Sequence, residues 1–286
     1  MGNIKREIIY ARVMGFCAGV RRALSIVDEE ISGSNGEPIY TLGDLVHNNQ
    51  VTDHLAKKGV CTIEPDDNIS GGTVIVRAHG AGPDVIEHLS RNGTKIVDAT
   101  CPTVRRSHKI IENHNAEGYY VIIAGERNHS EVQGMAARAT SCSIVQNTED
   151  VELQKYHTPL MVIAQTTFDR EEFLRICDLI KKHDSTTKIY NTICPATEKR
   201  VKALEELADQ VEALIIIGGS HSANTRRLFE AACKTGRPSW HVEDVDDLDR
   251  EIYRYKRIGI TAGASTPDWI IEKIKLHLET TEIGLI

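Results

Sequence analysis

"TKIVDATCP" at residues 94–102 and "TKIYNTICP" at residues 187–195 share five of nine positions at an offset of 93 residues. Each reads as a short apolar strand that ends in a cysteine, followed by a proline suited to the first turn of a helix. A third cysteine in a similar setting, in "MGFCAGV" at 14–20, precedes the first copy by 84 residues. Solenoid units run about 20–50 residues, so this period is too long for one and instead matches a small α/β domain.

Working outward from Cys101, apolar periodicity predicts a helix over 103–117, the strand "YYVIIAG", a helix from Ser130 and the strand "SCSIVQN". A short helix, the strand "PLMVIAQTT", the helix "FDREEFLRICDLIKKH" and the strand "TKIYNTIC" follow. The same order returns from Cys194, with helix "ATEKRVKALEELADQ", strand "VEALIIIGG", helix "SANTRRLFEAACKTG", strand "RPSWHVEDV", a helix over 246–255, strand "RIGITAGAS" and helix "TPDWIIEKIKLHLE". From Cys17 it appears once more through "PIYTLGD", "VCTIEP", "GTVIVRAHG" and "TKIVDATC", with only a weak helix signal around "PDDNISGG". Alternating helices and near-continuous apolar strands imply parallel sheets covered on both faces. The expected fold is α/β: three pseudo-threefold-related units, each with a small, mostly parallel four-stranded sheet, around a central cavity. The units are expected at 18–100, 101–193 and 194–286. The third lacks a final strand and the chain opens with a spare one, "EIIYARV", so residues 1–17 are expected to join the third unit.

Composition narrows the function classes. The net charge of -7 and 5% aromatic content argue against a nucleic-acid surface, and the Arg pairs at 21–22, 105–106 and 226–227 read as solvated helix faces. No apolar run approaches the roughly 20 residues needed to cross a bilayer, and charges interrupt the N-terminus, so neither a membrane nor a signal peptide is expected. A cytoplasmic protein follows as the expectation. There, the seven cysteines would stay reduced, leaving burial, catalysis or metal binding as their roles.

Cys17, Cys101 and Cys194 each fall past the carboxyl end of a strand and ahead of a helix, where open α/β sheets bind ligands. Cys61, Cys142, Cys177 and Cys233 lie within strand or helix patterns and read as buried thiols. The same offset aligns a second set: Gly43, Gly125 and Gly218 are each followed four residues later by a polar side chain, His47, His129 and Ser222. Asn49, Glu131 and Asn224 come two residues after these. Helix N-termini there would favour an anion. A third set closes the next strand: His79, then Thr166 and Thr167, then Ser265. His221 lies in the same window as Ser222, and the remaining histidines, His108 and His114 among them, are given no role. Three thiolates without CxxC spacing fit structural zinc poorly, whereas an iron-sulfur cubane held by three cysteines keeps one iron open as a Lewis acid.

The strings "GFCAGVRRA", "LVHNN", "RAHG", "DATCP", "HSEVQG", "AQTT", "TICPAT", "SANTRRL" and "TAGASTPD", in this order across about residues 14 to 270, resemble the motif set of the 4-hydroxy-3-methylbut-2-enyl diphosphate reductases. The resemblance implies one 4Fe-4S cluster on Cys17, Cys101 and Cys194. It implies diphosphate contacts from His47, His79, His129, Ser222, Asn224 and Ser265, a hydroxyl contact from Thr166, and Glu131 as proton donor. It further implies reductive dehydroxylation of the (E)-4-hydroxy-3-methylbut-2-enyl diphosphate to isopentenyl and dimethylallyl diphosphate. Two departures stand out: Ser130 where the family usually has Pro, and Ala223 where it has a third polar side chain. No GxGxxG follows a strand, so electrons are expected from a separate ferredoxin- or flavodoxin-type donor. Two other readings stay open on the residues alone: a dehydratase that uses the cluster only as a Lewis acid, and a ligand-binding iron-sulfur sensor.

Overall fold

The computed structural model describes residues 6–91 and 93–281. Of the segment expected to join the third repeat, residues 1–5 lie outside the described residues, as do 282–286 at the far end. The chain opens with β1 (Glu7–Tyr10). The first repeat continues as α1 (Ala18–Gly33), β2 (Ile39–Leu42), α2 (Asn49–Lys57), β3 (Val60–Ile63), β4 (Thr73–Val76), α3 (Pro83–Ser90) and β5 (Lys95–Asp98). The second comprises α4 (Pro102–Ala116), β6 (Tyr120–Ala124), α5 (Ser130–Ala136), β7 (Cys142–Val145), β8 (Leu160–Ala164), α6 (Arg170–His183) and β9 (Lys188–Tyr190). In the third are α7 (Pro195–Ala208), β10 (Ala213–Ile217), α8 (Ala223–Lys234), β11 (Ser239–Val242), β12 (Arg257–Ala262) and α9 (Asp268–Thr280).

These strands form three four-stranded sheets, ordered β5-β4-β2-β3, β9-β8-β6-β7 and β1-β12-β10-β11. Every pairing is parallel. The order is the same three times, and β1 occupies in its sheet the edge position that β5 and β9 hold in theirs. Glu7 lies opposite Arg257 and Tyr10 opposite Ile260. The central strands β4, β8 and β10 are buried along their whole length, as strands covered by helices on both faces must be. The edge strands β1, β5 and β9 are only half-buried.

The described chain folds as two compact units. One comprises the described parts of Met1–Arg21, Val46–Val51 and Pro195–Ile286 and carries the β1-β12-β10-β11 sheet. Its two core layers lie on opposite faces of that sheet. Ile215, Ile217, Ile258 and Ile260 pack with α9, and Leu214 and Ile216 pack with α7 and α8. The other unit comprises Arg22–Leu45 and Thr52–Cys194 and carries the remaining two sheets. In it α6 covers one face of the β9-β8-β6-β7 sheet through Phe173, Ile176 and Ile180, while Ile111, Val132 and Met135 cover the other.

Three short segments differ from the expected helices. Residues 148–155 and 246–255 fold as pairs of 3-10 turns, Thr148–Asp150 with Leu153–Lys155 and Val245–Asp247 with Arg250–Arg254. Asn147 and Asp244 cap the first turn of each pair with their side chains, and the chain then returns to extended backbone at Val151 and Leu248. Such local capping competes with helix propagation. Around "PDDNISGG" no helix forms, and Gly71 and Gly72 adopt φ of 71° and 73°.

Candidate functional site

Cys17, Cys101 and Cys194 are half-buried and unbridged. One backbone device fixes all three. The Cys17 N–H donates to Ala264 O (3.0 Å), the Cys101 N–H to Ala78 O (2.9 Å) and the Cys194 N–H to Thr166 O (2.7 Å). The acceptors are equivalent: Ala262, Val76 and Ala164 pair with Ile217, Leu42 and Ala124, and each acceptor lies two residues further on. Each cysteine-bearing edge strand thus stays tied to its neighbour beyond the end of the regular sheet. The helix begins at once, at Pro102 and Pro195 in two cases, where a missing N–H costs nothing. At Cys17, Sγ accepts a hydrogen bond from the Val20 N–H in the first turn of α1 (3.4 Å).

The same registers make His79, Thr167 and Ser265 equivalent, each one residue past its acceptor. Thr166 therefore contributes a carbonyl to Cys194 and a hydroxyl elsewhere, while Thr167 Oγ1 accepts from Gln165 Nε2 (3.0 Å).

In the unit carrying the β1-β12-β10-β11 sheet, Ser265 Oγ donates to His47 O (3.3 Å). Gly219 sits against the same carbonyl, since a Cβ there would meet His47 O at 2.9 Å. Asn48, a residue the sequence reading did not single out, caps α2, its Oδ1 accepting from Gln50 N and Val51 N (3.0 and 3.3 Å). Asn49 is exposed. Ser222 is the N-cap of α8, accepting from Thr225 N–H at 3.4 Å. Asn224, in the first turn, is 6% exposed, and its Nδ2 has no partner among the described residues. A buried orphan donor costs about 1–3 kcal/mol unless an acceptor arrives. Its place at a helix N-terminus suits a phosphate oxygen. Ala223 is buried beside it and offers no side-chain donor.

In the other unit, the His79 and His129 rings meet edge to face with centroids 5.4 Å apart. His129 is the N-cap of α5, and its Nδ1 accepts the Glu131 N–H at 3.1 Å. That bond assigns the proton of the neutral ring to Nε2, which makes Nε2–H a donor. Ser130, at the first helical position, buries an Oγ with no partner among the described residues. Glu131 is 1% exposed. Its carboxylate accepts the Thr166 N–H at Oε1 (2.7 Å) and the Thr166 hydroxyl at Oε2 (2.8 Å). Loss of hydration outweighs both bonds and pushes its pKa up to about 7. The result is a carboxyl able to give or take a proton near neutral pH, coupled to a hydroxyl that can pass it on.

Several sequence expectations need correction. Of the four other cysteines only Cys177 is buried, with its thiol pushed up to about 12 by loss of hydration, while Cys61 on the edge strand β3 and Cys233 on α8 are exposed. Their outward register, not their residue type, decides this. His108 and His114 prove to be buried. His114 Nδ1 bonds Ile110 O and its Nε2 bonds the Tyr190 hydroxyl, both at 2.8 Å, which is a structural role. The Arg pairs are not wholly solvated faces either. Arg22, Arg226 and Arg227 are half-buried, and Arg22 Nη1 donates to Thr100 O at 3.1 Å.

Against known proteins, the family model described as LytB protein matches residues 8–279. A Treponema denticola protein named 4-hydroxy-3-methylbut-2-enyl diphosphate reductase is 40% identical over 284 residues, covering 94% of this chain and 97% of the relative. A solved structure of (E)-4-hydroxy-3-methyl-but-2-enyl diphosphate reductase, described as the terminal enzyme of the non-mevalonate pathway, is 38% identical, with a TM-score of 0.73 over 96% of this chain and all of that one. The structure of the E-1-hydroxy-2-methyl-but-2-enyl-4-diphosphate reductase from Plasmodium falciparum is 30% identical, with a TM-score of 0.87 over 97% of this chain and 89% of that one.

Proposed function

This chain belongs to the LytB protein family, and from that membership we propose that it reductively dehydroxylates (E)-4-hydroxy-3-methylbut-2-enyl diphosphate to isopentenyl and dimethylallyl diphosphate. It is an oxidoreductase, a 4-hydroxy-3-methylbut-2-enyl diphosphate reductase. Cys17, Cys101 and Cys194 would hold one 4Fe-4S cluster. Their half-buried, unbridged thiols, their anchored N–H groups and the N–H aimed at Cys17 Sγ fit a thiolate donor set. When bound, the cluster supplies electrons one at a time and a Lewis-acidic iron. The reaction consumes two electrons and two protons, one proton leaving with the hydroxyl as water and the other forming the new C–H bond.

The buried Glu131–Thr166 pair carries this reading. Hydroxide leaves poorly unless protonated, and a carboxyl held near neutrality by burial is protonated often enough to donate. The Thr166 hydroxyl, bonded to Glu131 Oε2, can rotate to relay that proton toward a substrate hydroxyl. Asn224, whose Nδ2 has no partner among the described residues, the α8 N-terminus behind Ser222, and the Nε2–H of His129 are donors suited to a diphosphate. His47, His79 and Ser265 would complete that set. The electrons would come from a ferredoxin- or flavodoxin-type donor. Among the described residues no helix is long and apolar enough to cross a membrane. Seven unbridged cysteines suit a reducing cytoplasm.

The test is Glu131→Gln, assayed with a one-electron dye under anaerobic conditions. The cluster spectrum should be retained while turnover falls by roughly 10²- to 10⁴-fold. Near-normal turnover would remove Glu131 from the donor role.

A further inference from the structure

The helices that follow the cysteines carry cations at nearly the same place: Arg22 five residues after Cys17, Arg106 five after Cys101 and Arg200 six after Cys194. Two of these reach the loop of a different cysteine. Arg200 is 3% exposed on α7. Its Nη2 donates to Gly15 O at 2.6 Å and its Nη1 to Ala196 O at 3.0 Å. Gly15 lies two residues ahead of Cys17 in a turn with φ of 68°, where a Cβ would press on Asp268 and Ile271. Arg22, on α1, donates from Nη1 to Thr100 O at 3.1 Å, the carbonyl immediately ahead of Cys101. Thr100 is itself pinned by its N–H to Asp98 Oδ1 at 2.8 Å.

We propose that Arg200 and Arg22 are positioning residues for the cluster cysteines, each locking the main chain just ahead of one thiolate and adding positive charge beside it. The proposal rests on the cluster reading above. A fully buried guanidinium costs several kcal/mol in lost hydration, so a site that keeps one needs a compensating anion or a geometric demand. The left-handed turn at Gly15 supplies that demand. A fork of two N–H groups bridging Ala196 O and Gly15 O fixes the distance between the start of α7 and the Cys17 loop, which an ammonium on a flexible stem cannot do. By chain reach and the hydrogen bond to Gly15 O, the Arg200 guanidinium lies within about 13 Å of the Cys17 sulfur. At that distance and an effective dielectric of about 20, one unit charge changes an equilibrium by roughly tenfold.

The experiment uses full-length chain, anaerobically reconstituted, with Arg200→Met, Arg200→Lys and Arg22→Met beside wild type. Iron and sulfide per chain, midpoint potential and the rate of iron loss to a chelator are measured, with far-UV circular dichroism as the check on folding. Arg200→Met should lower the reduced-to-oxidised ratio at a fixed poise about tenfold, which is 59 mV for a one-electron couple, and speed iron loss at least tenfold. Arg200→Lys keeps the charge and loses the fork, so its potential should stay within threefold in ratio while iron loss still quickens. Arg22→Met should quicken iron loss with a smaller change in potential, because that guanidinium is only half-buried. If Arg200→Met fails to fold, the other two variants decide. Wild type and all folded variants matching in potential and chelation would overturn the positioning role alone. A wild-type chain that takes up no iron would overturn the cluster reading and this proposal with it.

Discussion

Replacing Glu131 with Gln does more than remove an acid; it should change how stability depends on pH. Gln keeps an acceptor for the Thr166 N–H, and the Thr166 hydroxyl can accept from the new amide. What disappears is a carboxyl that is 1% exposed and whose pKa is pushed up from 4.5 to about 7 by burial, against the opposing pull of two Thr166 hydrogen bonds. At 1.36 kcal/mol per pKa unit, that rise is worth about 3 kcal/mol. A raised pKa means that the folded chain holds this proton more tightly than the unfolded chain. Below pH 4.5 both states are protonated and Glu131 carries no penalty. Between pH 4.5 and 7 the unfolded chain ionises first and stability falls, and above pH 7 the whole penalty is present. Glu131→Gln should therefore match wild type near pH 4.5 and exceed it by up to about 3 kcal/mol near pH 8. Urea unfolding of the metal-free proteins, followed by circular dichroism across this range, reads the difference directly. A stability difference that stays flat with pH, or that favours wild type increasingly as pH rises, would refute the burial argument.

Three further outcomes follow from individual contacts. Ser130→Pro should stabilise the chain by about 0.4–1 kcal/mol, because His129 already has φ of -78° and ψ of 135° and Ser130 sits at the first helical position with its buried hydroxyl unpartnered. Lower resistance to urea than wild type would show that the Ser130 N–H or hydroxyl matters. Gly219→Ala places a Cβ 2.9 Å from His47 O, so the loop must move and KM for the diphosphate should rise at least tenfold with a smaller change in kcat; an unchanged KM would remove that loop from substrate binding. Serine at Cys17, Cys101 or Cys194 should abolish stable iron uptake, whereas serine at the exposed Cys61 or Cys233 should leave iron per chain unchanged.

The repeat carried most of the fold. Two copies of a strand that ends in Cys-Pro set the period, and the strand missing from the third repeat matched the spare one at the N-terminus, which is where β1 pairs with β12. Features that depend on who packs against whom were not legible. The short turns at 148–155 and 246–255 had helical composition, but their Asn147 and Asp244 caps hold isolated turns. Glu131 could be marked as a carboxylate at a helix start, yet its burial depends on strand β8 delivering Thr166 beside it. The Arg pairs looked like solvated faces because nothing local shows that Arg22 reaches Thr100, seventy-eight residues away in the chain. Arg200 meets Gly15 across 185 residues for the same reason.

Electron counting separates reductive chemistry at a cluster on Cys17, Cys101 and Cys194 from its alternatives. Anaerobically reconstituted chain, assayed for iron and sulfide, is given the hydroxylated diphosphate and a reduced one-electron dye, and dye oxidised is counted against product formed. Four irons per chain, two dye equivalents consumed per diphosphate converted, and no conversion without dye are the expected outcome. Conversion without any reductant would contradict it in favour of Lewis-acid dehydration, and binding without conversion under full reduction would contradict it in favour of a sensor.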